Sequence, residues 1–328
     1  MTTEEISWLI ATVWVIASTI IVLRLRVFQA RSLEHVPARV GTLSLASVGA
    51  VVLVYIGCLL AALGIARGQG AFRVAEPRAA AAATSGGYGT LPASTLPASM
   101  AATHPAARTA SEADLPTLVL TQALDAAAKL IAAGLGLFLV SRLVVGGLDA
   151  WGVTPRHIPR GLVLGVGAYL VAIPFIYLTN GAVTDFLQRF LHEKMPPHAT
   201  ITALQTHPSP GLKVGLIFFA AIAAPLLEEI FFRGLLQTTL LEEGWGFLTP
   251  PKPNPLYHAT PARRWVAILL TSVLFAAVHG SPEQAAVLFV LSLALGYSYE
   301  RTNNLWVPIT FHATFNMVNI LVVLSGVK

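Results

Sequence analysis

The sequence is short of charged residues and of cysteine. Charged side chains make up 11% of its 328 residues and hydrophobic ones 55%, whereas soluble globular domains have roughly 25% charged residues. A chain with so few charges is not an ordinary soluble protein, and its mean hydropathy of +0.69 is typical of an integral membrane protein. The single cysteine, Cys58, excludes a framework of intrachain disulfides.

Several motifs that would assign a function directly are missing. The sequence has no G-x-S-x-G motif of a serine hydrolase, and it has no H-E-x-x-H motif of a zinc protease, because the segment that begins at His192 reads HEKMP. It also lacks a cluster of basic and aromatic residues, so we expect no nucleic-acid partner. We attribute the net charge of +5 to membrane topology and to contact with anionic lipid.

Long apolar segments are abundant. A helix of about 20 apolar residues crosses the hydrocarbon core of a bilayer. With their flanks, eight segments meet this requirement: 7–23, 43–65, 118–140, 162–178, 212–227, 266–278, 285–299 and 305–324. The sequence therefore predicts an all-α protein, a polytopic transmembrane helix bundle with about eight spans, which lies in the cell membrane and has lipid as a partner.

Composition divides the chain into three parts. Residues 67–117 are rich in Ala, Pro, Ser, Thr and Gly, which do not build a packed core, so we interpret them as a flexible linker. Residues 1–66 then form an N-terminal pair of transmembrane helices. Residues 118–328 form the core, and they contain every candidate functional residue.

Three charged residues interrupt the apolar segment APLLEEIFFRGLL at residues 224–236. Ionisable side chains at membrane depth are costly, and they usually face a protein interior or a wet cavity. Glu229 and Arg233 are four residues apart with the acid first, which is the favourable order for an ion pair on a helix. Glu228 is turned about 100° away from Glu229. We therefore expect Arg233 to hold Glu229, and Glu228 to project into a cavity as the free carboxylate.

Two later segments add polar side chains to predicted spans. His279 ends an apolar run, and His312 and Asn316 share one face of the last span at a spacing of four residues. Taken singly, His279 can be a satisfied core histidine, and His312 and Asn316 can form hydrogen bonds between helices. The three charges Glu228, Glu229 and Arg233 can simply lock helices together. Three helices that each present a polar face in the last third of the chain favour a common site.

Such a set of side chains can hydrolyse a peptide bond. A partly desolvated carboxylate is a stronger base and can take a proton from water, which a neighbouring histidine can help to position. Asparagine and histidine donors can stabilise the oxyanion that forms when water attacks a carbonyl. We therefore expect an endopeptidase that forms no covalent intermediate and acts on a protein or peptide substrate near the membrane.

Three motifs carry a family resemblance. In chain order, EEIFFR, FAAVH and HATFN resemble the E-E-x-x-x-R, F-x-x-x-H and H-x-x-x-N/B motifs of the CAAX protease and bacteriocin-processing family. This family is also called the Abi or type II CAAX prenyl endopeptidase family. The resemblance covers about residues 162–324 and implies an α-helical intramembrane endopeptidase of the glutamate type.

The resemblance also implies a role for each matching residue. Glu228 would activate water, and His279 would be its partner. His312 and Asn316 would form the oxyanion side of the site. Glu229 and Arg233 would be a structural pair. Eukaryotic members of the family trim prenylated CAAX proteins, and many prokaryotic members are linked to bacteriocin maturation or self-immunity, so the substrate can be lipidated or not.

Two alternatives stay open at the level of the sequence. Carboxylates and imidazoles are zinc ligands, so the same residues can be interpreted as a metal site, although few of them are closely spaced. We expect no metal and no cofactor. The second alternative is a family member without proteolytic activity that acts as a scaffold, an immunity factor or a transporter. Convergence of Glu228, His279, His312 and Asn316 on one water-accessible cavity would favour the enzyme.

Overall fold

The computed structural model describes residues 3–27, 29–33, 43–68, 115–191, 210–241, 259–279 and 282–325. Within these residues the chain is helical and has no strand, which confirms the predicted all-α bundle. We number its eight long helices as follows: α1 Thr3–Arg24, α2 Leu45–Gly68, α3 Leu115–Leu143, α4 Ile158–Phe186, α5 from Pro210 to Leu241, α6 Pro261–Val278, α7 Ala285–Thr302 and α8 Trp306–Leu324.

Seven of these eight helices are long and apolar enough to cross a membrane, judged by length and composition. The helix outside this set is α7, whose last residues include Glu300 and Arg301. Large apolar side chains on the spans are widely exposed, for example Trp8 at 69% and Val163 at 74%. Such faces are suited to contact with lipid. The chain is a multi-pass membrane protein, with seven candidate spans among the described residues against the eight predicted.

Helix α5 is longer than its sequence predicts, and it is irregular. The predicted span ends at residue 227, but the helix continues past the charged residues to Leu241. It consists of consecutive segments that alternate between α-helical and π-helical geometry: Pro210–Phe218, Phe219–Ala223 (π), Ala224–Glu229, Ile230–Gln237 (π) and Thr238–Leu241. The helix continues past these charges because Glu229 and Arg233 are buried in the protein interior, where both are 0% exposed.

Helices α4 and α8 approach each other closely through two glycines. A Cβ atom on Gly161 would lie 2.3 Å from Cβ of Trp306, and one on Gly165 would lie 2.6 Å from Cβ of Thr310. Small residues at a spacing of four let the backbones of membrane helices pack at short range. This contact sets the position of α8 and therefore of His312.

The two N-terminal helices pack against different helices of the core. Helix α1 packs against α4, where Nε1 of Trp14 donates to the carbonyl oxygen of Leu170 at 2.9 Å. Helix α2 packs against α3, where the hydroxyl of Tyr55 donates to Asp125 Oδ1 at 2.7 Å. The predicted linker comprises residues 67–117. Of these, residues 69–114 lie outside the described residues, whereas 67–68 belong to α2 and 115–117 belong to α3.

A buried polar cluster joins α5, α6 and α7. Nη1 of Arg264 donates to Glu300 Oε2 at 2.6 Å, and Nε2 of Gln237 donates to Glu300 Oε1 at 2.9 Å. All three side chains are at most 2% exposed. A buried carboxylate with both oxygens satisfied in this way is tolerated at depth, so the cluster fixes the three helices that surround the charged part of α5.

Candidate active site

The two neighbouring glutamates of α5 have separate surroundings. Glu229 is buried, and its Oε1 accepts a hydrogen bond from Nη1 of Arg233 at 3.1 Å. Nη2 of Arg233 donates to Oγ of Ser292 on α7 at 2.6 Å, and to the carbonyl oxygen of the same residue at 3.1 Å. The structure therefore contains the ion pair that the spacing predicts, and the pair also ties α5 to α7.

An aromatic side chain covers the other side of this pair. Phe275 on α6 is 0% exposed, and the centroid of its ring lies 4.9 Å from Cζ of Arg233. The same ring lies 4.5 Å from the ring of His279 and 5.8 Å from the ring of His312, measured between centroids. Phe275 thus separates the two histidines and contributes a cation–π contact to the buried guanidinium.

Glu228 faces away from the ion pair, as its position on the helix predicts. Its side chain is 16% exposed and lies in a cavity of about 390 Å³. Oε2 lies 3.9 Å from Nε2 of His279, and Oε1 lies 3.7 Å from Nζ of Lys129 on α3. Both distances are too long for a direct hydrogen bond and suit a bridging water.

The cavity is mostly apolar. Its wall comes from α2, α3, α5 and the C-terminal end of α6: Val51, Val52, Tyr55, Lys129, Ala132, Ala133, Gly136, Leu227, Glu228, Ile230, Phe231, Phe232, Leu235, Val278 and His279. A mostly apolar pocket with a few convergent polar groups is the usual form of a small-molecule or peptide site. The charged groups in this wall are Glu228 and Lys129, together with the titratable His279.

His279 is oriented by the backbone of its own helix. It is the first residue after α6, and its Nδ1 lies 2.6 Å from the carbonyl oxygen of Phe275. A carbonyl oxygen only accepts hydrogen bonds, so Nδ1 carries the proton and donates it. Nε2 is then the nitrogen that faces Glu228, and in the neutral imidazole it is an acceptor. This arrangement can hold a water molecule between the carboxylate and the imidazole.

His312 and Asn316 occupy other places than we expected from the sequence. His312 is 4% exposed, and its Nδ1 lies 2.9 Å from Glu229 Oε1, so it belongs to the buried ion pair. Nδ2 of Asn316 donates to the carbonyl oxygen of Ala220 at 2.8 Å, in a π-helical segment of α5. Neither side chain lines the cavity around Glu228. The structure brings Glu228 and His279 together, and it does not bring all four side chains to one cavity.

Sequence reasoning missed three residues beside Glu228. Lys129 forms an ion pair with Asp125 of its own helix, with Nζ and Oδ2 2.9 Å apart, and Tyr55 of α2 donates to the same carboxylate. The available signal was the spacing of Asp125 and Lys129, two charges four residues apart within a predicted span. Tyr55 lies before residue 67, so the N-terminal pair of helices also contributes a polar side chain to the cavity wall.

No group of three or more His, Cys, Asp or Glu side chains within the described residues is arranged to hold a metal ion. Zinc in proteins usually has at least three protein ligands, whereas Glu228 and His279 supply two. The zinc alternative therefore has no complete ligand set in the part of the chain that the structure describes.

One segment of the chain is similar to known proteins. Residues 210–318 match the family model described as "Type II CAAX prenyl endopeptidase Rce1-like". A protein of Bacillus subtilis (strain 168), named "Putative membrane peptidase YdiL", is 27% identical over 113 residues, which cover 34% of this chain and 39% of that protein. No solved structure matches.

The matched segment runs from the start of α5 into α8, and it includes both glutamates, both histidines of the predicted site and Asn316. Lys129 and Tyr55 lie outside it. Residues 210–318 of this multi-pass helical membrane protein are thus similar to the Rce1-like type II CAAX prenyl endopeptidases.

Proposed function

We propose that this protein is an intramembrane endopeptidase in which Glu228 activates water for attack on a peptide bond. The observation that carries the proposal is the pair of Glu228 and His279, which face each other across 3.9 Å at a mostly apolar cavity. The pair lies in the segment that matches a peptidase family, and the name of the Bacillus subtilis relative also describes a membrane peptidase.

The reaction begins with a water molecule between Glu228 and Nε2 of His279. Glu228 takes a proton from this water as the oxygen attacks the carbonyl carbon of the substrate. The tetrahedral intermediate then collapses, and the leaving amine receives the proton from Glu228. The apolar wall supports this chemistry, because it excludes other water and strengthens the electrostatic interactions at the carboxylate.

Glu229, Arg233 and His312 have a positioning role in this proposal. Their hydrogen bonds hold the polar face of α5 against α7 and α8. Glu228 is the next residue on the same helix, so this network fixes the direction in which its carboxylate points. Asn316 contributes in a similar way through Ala220.

The first prediction tests the carboxylate directly. Glu228→Gln preserves the shape of the side chain and removes the base, so we expect it to abolish peptide cleavage by the purified protein in lipid nanodiscs while the yield and the melting temperature stay near wild type. Cleavage is followed by mass spectrometry on a peptide library that includes prenylated and unprenylated C-termini. Asp185→Asn is the matched control, because Asp185 is an exposed acid that pairs with Arg189 away from the cavity.

The same assay separates the alternatives. We expect a chelator to leave cleavage intact. Activity that vanishes on chelation and returns with zinc would favour a metalloprotease instead. Full activity of Glu228→Gln would overturn the proposed role of Glu228, and a wild-type protein that cleaves no peptide would favour a scaffold, an immunity factor or a transporter.

A further inference from the structure

The helix that carries Glu228 fixes only the starting direction of its side chain. Several rotatable bonds separate the backbone from the carboxylate. The hydrogen bonds of Glu229 with Arg233 and His312 hold α5 in place, but they do not include the carboxylate of Glu228. A catalytic group has to be held close to its productive position. Contacts at the carboxylate itself therefore decide whether Glu228 is ready to act.

The two carboxylate oxygens of Glu228 face partners on two different helices. Oε1 lies 3.7 Å from Nζ of Lys129 on α3, and Oε2 lies 3.9 Å from Nε2 of His279 at the end of α6. An ammonium only donates hydrogen bonds, whereas Nε2 of the neutral His279 described above is an acceptor. Of the two partners, Lys129 is thus the one that attracts a carboxylate oxygen directly, and Oε2 is left for the water beside His279.

Lys129 is itself held by residues of α2 and α3. Its ammonium lies 2.9 Å from Oδ2 of Asp125, one helical turn earlier, and the hydroxyl of Tyr55 donates to Oδ1 of the same carboxylate at 2.7 Å. A lysine side chain is flexible, and this anchoring limits the positions that its charge can take. Tyr55, Asp125 and Lys129 all lie outside residues 210–318, the segment that matches the family.

We propose that Lys129 is a positioning residue for the reaction: its ammonium holds Oε1 of Glu228, so that Oε2 and the attacking water face His279. Asp125 and Tyr55 fix the place of Lys129. The inference rests on the function proposed above. The physical reason is that a carboxylate in a mostly apolar cavity is costly unless a cation pairs with it, so the anchored ammonium draws the carboxylate to one place. Lys129 acts through Glu228 and not by contact with the substrate.

The second prediction is a kinetic one. Lys129→Met keeps most of the side-chain length and removes the charge. We expect kcat to fall about tenfold to hundredfold, as it does when a reacting group is displaced by about 1 Å. KM should change less than about twofold, because substrate binding is not affected. Lys213→Met is the matched control, because Lys213 lies at the start of α5 and does not line the cavity. Melting temperatures show whether each variant is folded.

A double-mutant cycle distinguishes action through Glu228 from direct action on the substrate. Glu228→Asp shortens the side chain by one methylene group and withdraws the carboxylate from Lys129. We expect this variant to retain slow cleavage, measured over long incubations, and we expect Lys129→Met to lower its kcat further by less than about threefold. A residue that contacts the reacting carbonyl group would lower kcat by its full factor in either background.

The anchoring of Lys129 is tested from α2. Tyr55→Phe removes one hydroxyl group and leaves the ring in the cavity wall. We expect kcat to fall about threefold to tenfold in the wild-type background, and not to fall further in the Lys129→Met background, because both changes act on the same contact. Tyr177→Phe is the matched control, since the hydroxyl of Tyr177 donates to Asn319 and the residue does not line the cavity.

The outcomes separate this inference from the proposed function. If Glu228→Gln is inactive and Lys129→Met is folded with the kcat of the wild type, the role of Lys129 is wrong and the proposed function stands. A higher KM with unchanged kcat, or the full loss in the Glu228→Asp background, also overturns that role. If Lys129→Met does not fold, wild-type kcat in Tyr55→Phe overturns it. If Glu228→Gln stays active, or the wild type cleaves nothing, the proposed function fails and the inference fails with it.

Discussion

At the scale of single residues, adjacent glutamates on one helix have different environments. Glu229 is 0% exposed, and its Oε1 contacts both Arg233 and His312. Glu228 is 16% exposed and faces the cavity. The cause is helix geometry, since consecutive residues point about 100° apart. Only one of the two directions leads to the buried arginine, so the other carboxylate is available for chemistry.

The third prediction concerns the buried pair. Arg233→Ala leaves the Glu229 carboxylate in the interior without its guanidinium, and breaking a buried pair in this way costs about 3 to 5 kcal/mol. It also removes the donors to Ser292 on α7. We expect a lower yield and a lower melting temperature in nanodiscs.

Arg189→Ala is the matched control, because the side chain of Arg189 is 71% exposed in its pair with Asp185. Exposed pairs contribute little to stability, so this variant should melt near wild type. An Arg233→Ala protein that melts like the control and retains full activity would contradict the structural role of the pair.

At the scale of helices, the shape of α5 and the contact between α4 and α8 position the site. The short segment with both glutamates, Ala224–Glu229, lies between two π-helical segments of α5. Such segments are frequent at functional sites because they turn the following side chains relative to a regular helix. On the opposite side, His312 of α8 contacts Glu229. The position of α8 depends on its close contact with α4.

The fourth prediction compares two glycines of α4. A Cβ atom at Gly165 would meet the carbonyl oxygen of Val307 at 2.7 Å and Cβ of Thr310 at 2.6 Å, whereas one at Gly167 would meet nothing within 4 Å. We expect Gly165→Ala to push α8 outward and to destabilise the protein by about 1 to 3 kcal/mol, as overpacking does. Gly167→Ala should have little effect, so equal melting temperatures for both variants would show that the close contact is not needed.

At the scale of the whole molecule, helices before the matched segment complete the cavity. Helix α2 contributes Val51, Val52 and Tyr55 to the wall, and α3 contributes Lys129. The family match covers residues 210–318 and contains none of them. The cavity around Glu228 therefore depends on packing between parts of the chain that are distant in sequence.

The fifth prediction follows from this packing. Cleavage of the chain at a protease site inserted within residues 69–114 should leave both fragments associated in mild detergent and active on the peptide substrate. The reason is that α1 packs against α4 and α2 against α3, with the Tyr55 to Asp125 hydrogen bond between the latter two. Copurification on a tag at one end measures the association. Loss of residues 1–68 from the cleaved protein, with peptide cleavage intact, would show that α2 is not needed for the site.

The sequence by itself determined the features that depend on composition and on helix periodicity. Apolar segments of sufficient length predict membrane helices wherever they occur, so the all-α multi-pass fold follows from hydropathy. The spacing of Glu229 and Arg233 within one helix predicts their ion pair and, by exclusion, the free direction of Glu228. Both inferences concern residues within one turn of each other, where helix geometry alone sets the distance.

Only the tertiary structure decided which helices meet around Glu228. The partners of Glu228 and Glu229 come from other helices: Lys129 is almost a hundred residues before Glu228, and His312 is 83 residues after Glu229. Periodicity gives the direction of a side chain around its own helix axis, but it does not show which other helix packs against that face. For this reason the sequence grouped His312 and Asn316 with Glu228, whereas the packing of α8 against α5 brings them to Glu229 and Ala220, and the packing of α3 brings Lys129 to Glu228.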